Sequence, residues 1–233
     1  MIPLRAVHPT KMPPFVTRLL VVLNLLAFGL QLLLGSGIVT YAMGVRPHCY
    51  FSPSSCGIDL PQESAGLWQP LFVSLFLHGG WLHLAFNMLF LWVFGPGLEE
   101  RLGKLRFLLF YLGCGIAASL AHIATHPLSS VPVIGASGAI SGVLGAYLIL
   151  LTRSWILTYF PPIFLFPVPA PLFIVLWFAS QIASTLDFLP RLTGGESSDV
   201  AWMAHMGGFA MGVFVAWGIK PWWKAKTDVA LRT

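Results

Sequence analysis

Six stretches of the chain are apolar and almost free of charged side chains, and polar or glycine- and proline-containing links separate them. A helix needs about 20 residues, at 1.5 Å of rise each, to cross the hydrocarbon core of a bilayer. The second stretch is short, but the apolar segment 71–77 precedes it and can enter the bilayer beside it. The pattern predicts an all-α membrane protein with six transmembrane helices, at about 19–34, 82–94, 105–124, 134–151, 171–186 and 200–219.

The distribution of positive charge predicts the orientation of these spans. With six spans both termini lie on one side, and eleven of the 13 Lys and Arg residues then fall on that side. Because cytoplasmic loops carry the excess of Lys and Arg, we expect both termini to be cytoplasmic. The chain then divides into a cytoplasmic N-terminal segment, 1–18, a six-span domain, 19–219, and a cytoplasmic C-terminal tail, 220–233.

The composition supports a lipid environment. Hydrophobic residues make up 57% of the chain and charged residues only 9%, against about a quarter charged in soluble domains. The net charge of +5 comes without a basic cluster interleaved with aromatic residues, so we expect no nucleic-acid binding. The first span is not closely followed by a small-residue cleavage site and is expected to stay as an anchor. The simplest location is the bacterial cytoplasmic (inner) membrane, with an organellar membrane as the alternative.

Several polar side chains lie inside the predicted spans, where lipid makes them costly and they usually face the protein interior. They are His78, His83, Asn87, Ser137, Ser141 and His205. All except Ser141 lie towards the outer ends of their spans. His83 and Asn87 are four residues apart and therefore share one face of a helix.

Two of these residues form a candidate nucleophile and base. Ser137 lies between Gly135 and Gly138 at the start of the fourth span, and His205 lies on the sixth. Small residues on one helix face let two helices approach closely. Such faces carry Ser137, Ser141 and Gly145 on the fourth span, and His205, Gly208 and Gly212 on the sixth. Their contact would bring the imidazole within reach of the hydroxyl, which is the minimum for nucleophilic catalysis.

Each of these residues also has a simpler interpretation. A serine among glycines usually serves helix packing, and an isolated intramembrane histidine can be a packed residue. A zinc protease would want His-Glu-x-x-His, and no Glu accompanies the histidines. An aspartyl protease needs paired carboxylates in its spans, and Asp187 alone lies near one. Since no Asp is placed to orient His205, a serine enzyme here would use a Ser–His dyad.

Three motifs together resemble the rhomboid family of intramembrane serine proteases. They are HGGWLHLAFN at 78–87, GASG at 135–138 and AHMGG at 204–208, in the order that the family has them. The resemblance covers 19–219 and implies a six-helix rhomboid-like bundle. GLE at 97–99 is also similar to the family's inner-loop pattern.

The resemblance implies a role for each matching residue. Ser137 matches the nucleophile and His205 the general base. His83 and Asn87 match the oxyanion donors, together with the backbone N–H of Ser137, and His78 matches a histidine that steadies the helix start. The remaining supporting positions are Gly135, Gly138, Ser141 and Gly208. Some members have an aromatic residue stacked on the catalytic histidine where this chain has Ser141. The His205 ring must then be positioned by other contacts, or Ser141 forms a hydrogen bond nearby.

These observations predict an intramembrane serine endopeptidase that acts on single-pass membrane proteins in the lipid bilayer. No metal or organic cofactor is implied, and the fifth span and the 187–199 loop are expected to move to admit substrate. The alternatives are a catalytically silent rhomboid-like binder of membrane proteins and a transporter or channel. The intact Ser137 and His205 pair disfavours the first, and the absence of mid-span carboxylates disfavours an ion-coupled form of the second.

Two further features predict local structure. Cys49 and Cys56 lie close together in the first outer loop, and a disulfide between them would fit an oxidising compartment, whereas Cys114 fits a buried small hydrophobic residue. Five prolines crowd 161–171 and should leave the fifth helix short, late-starting and weakly held.

Overall fold

The protein, seen in a computed structural model, is mostly helical. The structure describes residues 1–7, 12–52, 56, 67–162, 164–185 and 202–230, apart from the side chains of 184–185 and 221–230. The helices are α1 Phe15–Leu34, α2 Ser36–Met43, α3 Trp68–Val73, α4 Trp81–Leu102, α5 Lys104–Thr125, α6 Ser137–Leu150, α7 Ala170–Thr185 and α8 Trp202–Ala230. Short 3-10 helices occupy Pro47–Tyr50 and Ser74–Phe76, and the strands are β1 Ile2–Ala6, β2 Trp155–Phe160 and β3 Phe164–Pro169.

Within the described residues, four helices are long and apolar enough to cross a membrane: α1, α4, α5 and the part of α8 from Trp202 to Lys220. The fourth and fifth predicted spans correspond to apolar helices that are shorter, 14 residues in α6 and 16 in α7. The chain is therefore a helical membrane protein, and the count of six crossings stays a prediction.

Helix α4 is longer than the sequence pattern predicts. The apolar run ends near residue 94, but the helix continues through Pro96 to Leu102 and ends at Gly103, whose φ is +81°. The extension packs closely on α1, because a Cβ atom on Gly95 would approach the Thr17 side chain to 2.9 Å. A small residue is therefore needed where the two helices meet.

The extension of α4 carries Glu99, whose buried carboxylate binds the beginning of α1. Its two oxygens accept hydrogen bonds from the backbone N–H groups of Val16 and Thr17, each at 2.8 Å, and from the Thr17 hydroxyl at 2.8 Å. The first N–H groups of a helix have no partner within it, and the helix dipole favours an anion there. Glu99 thus caps α1 and fixes it against α4.

The prediction of an all-α chain is wrong for two segments: the N-terminus, and the link between the fourth and fifth predicted spans. Strands β1, β2 and β3 form an antiparallel sheet in that order, and Ile156 and Val168 are paired and buried. The prolines at 167 and 169 fit because β3 is an edge strand, where a missing N–H is tolerated. In the sequence, the apolar residues of β2 look like a continuation of the preceding helix.

Helix α6 lies at the centre of the helical bundle and contacts α4, α5, α7 and α8. Ten of its residues are buried, from Gly138 to Tyr147. Its approach to α8 is limited by backbone atoms: a Cβ atom on Gly208 would overlap the Gly138 carbonyl, and one on Gly212 would overlap the Gly142 carbonyl. The predicted glycine face of α8 therefore does pack on α6. On α6, Gly145 of the predicted face contacts the Phe209 backbone, but the glycines that meet Gly208 and Gly212 are Gly138 and Gly142, one position along from the predicted Ser137 and Ser141.

Helix α7 begins at Ala170, after four of the five prolines and one residue before Pro171, in agreement with the predicted late start. Its inner half is held by Phe173 and Ile174, which are fully buried. Its outer half packs on α8 through Phe178 and Phe209, whose rings stack with centroids 4.0 Å apart. The predicted cap at 187–199 lies outside the described residues.

The first outer loop is tied to the segment that leads into α6. Val45 and Val133 exchange two backbone hydrogen bonds. Cys49 and Cys56 form a disulfide, as predicted, and the guanidinium of Arg46 donates to the Cys56 carbonyl oxygen at 3.0 Å. The Tyr50 hydroxyl donates to the Leu67 carbonyl, and burial raises the pKa of Tyr50 from its ordinary value of 10.0 to about 12.

Candidate active site

A cavity of about 1280 Å³ lies between α4, α5, α6, α7 and α8, at the end of the bundle where α6 begins. Its lining includes Ser137, His205, His83 and Asn87. A second cavity, of about 550 Å³, lies at the opposite ends of α4 and α6 and contains none of these residues. The structure therefore brings together, in one space, side chains that are far apart in the sequence.

Ser137 is the first residue of α6 and follows a tight approach of the chain to α4. Gly135, two residues earlier, has φ of +122°, a conformation that L side chains rarely adopt. A Cβ atom there would also lie 2.8 Å from the His83 ring. Glycine is therefore required on both counts, and the N–H of Ser137 is among those at the helix start that lack a partner within the helix.

The Ser137 hydroxyl and the His205 imidazole are in hydrogen-bond contact, with 2.8 Å between Oγ and Nε2. The contact follows from the packing of α6 on α8. Gly138, next to Ser137, and Gly208, three residues after His205, allow the two helix backbones to touch beside this pair. His205 is nearly buried, at 9% exposure, so water competes little for its ring nitrogens. This geometry allows the imidazole to take the hydroxyl proton.

A residue that the sequence analysis did not single out, Gln181 of α7, contacts the other face of the dyad. Its Oε1 lies 2.7 Å from His205 Nδ1. Because an amide oxygen only accepts, Nδ1 carries the proton and Nε2 presents its lone pair to Ser137. The signal in the sequence was an uncharged amide in the otherwise apolar fifth stretch.

His83 and Asn87 lie beside Gly135, across from the dyad. The backbone N–H of Gly79 donates to His83 Nδ1 at 3.3 Å, so the proton of a neutral ring is on Nε2. The Asn87 Nδ2 group is buried and has no hydrogen-bond partner among the residues that the structure describes. A Cβ atom built on Gly135 would lie 2.8 Å from His83 Nε2 and 3.7 Å from Asn87 Nδ2. Both donors therefore converge on Gly135, two residues before Ser137, and line the same cavity as Ser137.

His78 lies behind His83, at the turn before α4, and is fully buried. Its backbone N–H and C=O are both bound by the Gln31 side chain, at 3.0 and 2.9 Å. Its Nδ1 contacts the Phe76 carbonyl oxygen at 3.2 Å, and its ring packs on that of His83 with centroids 5.1 Å apart. These contacts link α1 to the start of α4 and place His78 outside the dyad.

Ser141 forms its hydrogen bond within its own helix rather than with His205. Its hydroxyl donates to the backbone carbonyl of Ser137 at 2.7 Å, which is a bond within α6. The aromatic neighbours of the His205 ring come from α8 itself and from α7: Trp202 of α8 lies edge-on with centroids 5.6 Å apart, and Trp177 of α7 lies at 6.3 Å. The ring is thus positioned by Gln181 and by these indoles.

Among the described residues, one cluster has metal-ligand chemistry, formed by His48, Cys49 and Cys56. Both sulfurs belong to the disulfide, and a metal ion needs thiolates. The cluster also lies in the first loop rather than in the lining of the cavity.

Comparison with known proteins finds relatives of this chain that are named as rhomboid proteins. The rhomboid protease GluP of Bacillus subtilis is 48% identical over 83 residues, 36% of this chain and 16% of the relative. Rhomboid protein 1, mitochondrial, of Saccharomyces cerevisiae is 37% identical over 191 residues, 80% of this chain and 52% of the relative. RHOMBOID-like protein 5 of Arabidopsis thaliana is 32% identical over 153 residues, 66% of this chain and 44% of the relative. The chain therefore spans about half or less of the length of these relatives.

The match to the family covers the site as well as the helices around it. The Rhomboid domain matches residues 65–222, which is more than half of the chain and includes every residue of the cavity discussed above from His78 to His205. The three motifs that carry the resemblance all lie within that range. The chain belongs to the rhomboid family.

Proposed function

We propose that the protein is an intramembrane serine endopeptidase with Ser137 as its nucleophile and His205 as its general base. The observation that carries the proposal is the 2.8 Å contact between Ser137 Oγ and His205 Nε2, at the wall of a cavity enclosed by apolar helices. Membership of the rhomboid family supports intramembrane proteolysis as the class of reaction.

The proposed reaction begins when Ser137 Oγ attacks the scissile carbonyl carbon and His205 Nε2 takes the hydroxyl proton. The oxyanion that forms accepts hydrogen bonds from His83 Nε2, Asn87 Nδ2 and the Ser137 backbone N–H. His205 then gives the proton to the leaving amine, and an acyl-enzyme on Ser137 remains. A water molecule, activated by the same imidazole, hydrolyses the ester and restores the serine.

The unpartnered amide of Asn87 supports the oxyanion assignment. A buried donor without a hydrogen bond costs roughly 1–3 kcal/mol, and an oxyanion at this point would relieve that cost. The interaction then exists only once negative charge has developed, which is what lowers a reaction barrier rather than merely tightening substrate binding.

The proposed substrates are single-pass membrane proteins whose transmembrane segment is helix-destabilised near the outer face. A peptide bond inside a regular helix is shielded by its hydrogen bonds, so the segment must unwind to reach Ser137. Polar groups in the cavity lining allow water to enter for the hydrolytic step. Substrate entry would need displacement of α7 and of the 187–199 loop.

The proposed location is the bacterial cytoplasmic membrane, with the Ser137 end of the bundle facing outwards. The cavity at the opposite end is lined by Arg5, Arg101 and Arg153, which fits a cytoplasmic face. Named relatives include mitochondrial and chloroplastic rhomboids, so the same topology in an organellar membrane is the competing assignment.

Covalent labelling tests the nucleophile directly. The detergent-solubilised protein is treated with a fluorophosphonate, and its intact mass and its labelled peptide are measured. The proposal predicts one adduct on Ser137, no adduct in Ser137→Ala, and labelling slowed by about 100-fold or more in His205→Ala, because the imidazole no longer takes the proton. Labelling elsewhere, or equal labelling of Ser137→Ala, would contradict it.

A further inference from the structure

The dyad has a third contact that comes from a different helix. Gln181 is buried, at 7% exposure, in the part of α7 that borders the cavity. Its Oε1 lies 2.7 Å from His205 Nδ1, while His205 Nε2 lies 2.8 Å from Ser137 Oγ. The three side chains therefore form a continuous hydrogen-bonded row across α7, α8 and α6.

The direction of the Gln181 amide is determined by a second contact. Its Nε2 donates to the Ser180 hydroxyl at 3.2 Å, and that hydroxyl donates to the Trp177 backbone carbonyl at 2.6 Å. With the nitrogen engaged on its own helix, the oxygen is left to face His205. The row can then carry only one proton arrangement, with Nδ1 as donor to Gln181 and Nε2 as acceptor from Ser137.

We propose, on the basis of the proposed protease function, that Gln181 is the positioning residue of the dyad. It holds the His205 ring in the tautomer and orientation that activate Ser137, and it does so only while α7 is seated against α8. Its role is therefore that of the buried carboxylate in a Ser-His-Asp triad, which orients the imidazole and determines its tautomer.

An uncharged amide suits this position in a membrane. A buried carboxylate would have to be paired or hydrogen-bonded to offset the loss of its hydration, which amounts to several kcal/mol. Within the described residues, no carboxylate lines this cavity. The amide oxygen supplies a fixed dipole that stabilises the imidazolium formed during the reaction, at a much smaller cost of burial.

The location on α7 makes the dyad depend on how that helix is seated. Gln181 is three residues beyond Phe178, whose ring stacks on Phe209 of α8. A movement of α7 that separates those rings would also lengthen the contact between Gln181 and His205. If α7 moves to admit substrate, the base is fully oriented only after the helix returns.

The test compares Gln181→Leu, which has similar volume and no acceptor, with Gln181→Glu, which keeps an acceptor oxygen. Ile182→Ala, a partly exposed neighbour outside the cavity lining, is the matched control on the same helix turn. Each variant is assayed for kcat and KM on a transmembrane reporter substrate, for the rate of fluorophosphonate labelling of Ser137, and for its unfolding temperature. Ser137→Ala is included to test the protease function itself.

We expect Gln181→Leu to lower kcat and the labelling rate together by about 10- to 100-fold, with KM and the unfolding temperature little changed. Gln181→Glu should have a kcat and a labelling rate about tenfold higher than those of Gln181→Leu, and Ile182→Ala should behave as wild type. Wild-type labelling in Gln181→Leu would overturn the positioning role, and so would equal loss in the Leu and Glu variants. Cleavage by Ser137→Ala would instead overturn the proposed function, so the two failures are distinguishable.

Discussion

Two serines on one helix show how local contacts decide chemistry. Ser137 and Ser141 are four residues apart on α6, and Ser141 is buried whereas Ser137 is half-buried. The Ser141 hydroxyl is satisfied by the carbonyl of Ser137, which is the usual arrangement for a serine inside a helix. Ser137 has helix-start geometry instead, and its hydroxyl partner is the imidazole of His205. Residue type alone does not separate the two serines, but their hydrogen-bond partners do.

The oxyanion assignment predicts the effect of removing either donor. His83→Ala or Asn87→Ala should each lower kcat by about 100-fold, because the transition-state charge loses a hydrogen bond in a water-poor site. KM should change much less, since the bond strengthens only as charge develops. The measurement is steady-state cleavage of a transmembrane reporter.

His126→Ala is the matched control for these variants, because His126 lines the same cavity but is an exposed residue near the end of α5. It should keep wild-type kcat. Full activity in both His83→Ala and Asn87→Ala would show that the oxyanion is bound elsewhere.

At the residue scale, the sequence was sufficient to predict that Ser137 and His205 meet. It was insufficient to predict which contact orients the His205 ring. Ser137 and His205 could be predicted because each lies on a face of small residues, and such faces pack together. Gln181 could not, because its contact depends on the rotation and seating of α7, which no periodicity in that apolar stretch determines. The absence of an aromatic residue at Ser141 indicated that some other contact was needed, but it did not identify that contact.

At the scale of elements, the close packing of α6 on α8 controls the dyad. A Cβ atom on Gly212 would overlap the Gly142 carbonyl, so Gly212→Ala must push the two helices apart. We expect a lower unfolding temperature and a loss of Ser137 labelling, because His205 moves with α8. Thermal unfolding and fluorophosphonate labelling of the same preparation measure both effects.

Gly218→Ala is the matched control on the same helix, because no heavy atom of the described part of the chain lies within 4 Å of a Cβ atom built there. The gain in helix propensity, of about 1 kcal/mol, is the same for both substitutions. Gly218→Ala should therefore be neutral or stabilising. If Gly212→Ala behaved in the same way, backbone contact would not be what sets the distance between α6 and α8.

Helices and strands could be predicted where the local sequence pattern determines them, and could not where contacts between distant segments do. The late start of α7 followed from the prolines before it, which cannot donate backbone hydrogen bonds. The sheet was missed because β1 lies in 1–18, which was predicted only as a cytoplasmic N-terminal segment. It was also missed because β2 and β3 lie in the link between the fourth and fifth predicted spans, where the crowded prolines at 161–171 argue against a strand. Helix α4 outlasts its apolar run because Glu99 has a partner on α1, a tertiary contact that the pattern does not contain.

At the scale of the molecule, the first loop is joined to the site through Val45 and Val133, so its disulfide has a structural consequence. The bond between Cys49 and Cys56 closes a short loop and should stabilise the fold by about 2 kcal/mol. Alkylation of the denatured protein should modify one of the three cysteines, Cys114, without reductant and all three after reduction. Modification of all three cysteines both with and without reductant would show that the disulfide is absent.

The central claim is that Ser137 cuts a membrane-embedded peptide bond, and the most direct test is cleavage by the purified protein in liposomes. A single-pass reporter with a helix-destabilised segment near the outer face is reconstituted with wild type or with Ser137→Ala, and the products are mapped by mass spectrometry. We predict one principal cut within that segment by wild type and none by Ser137→Ala. Equal cleavage by both proteins, or intact substrate with a wild-type protein that also fails to react with a fluorophosphonate, would contradict the account.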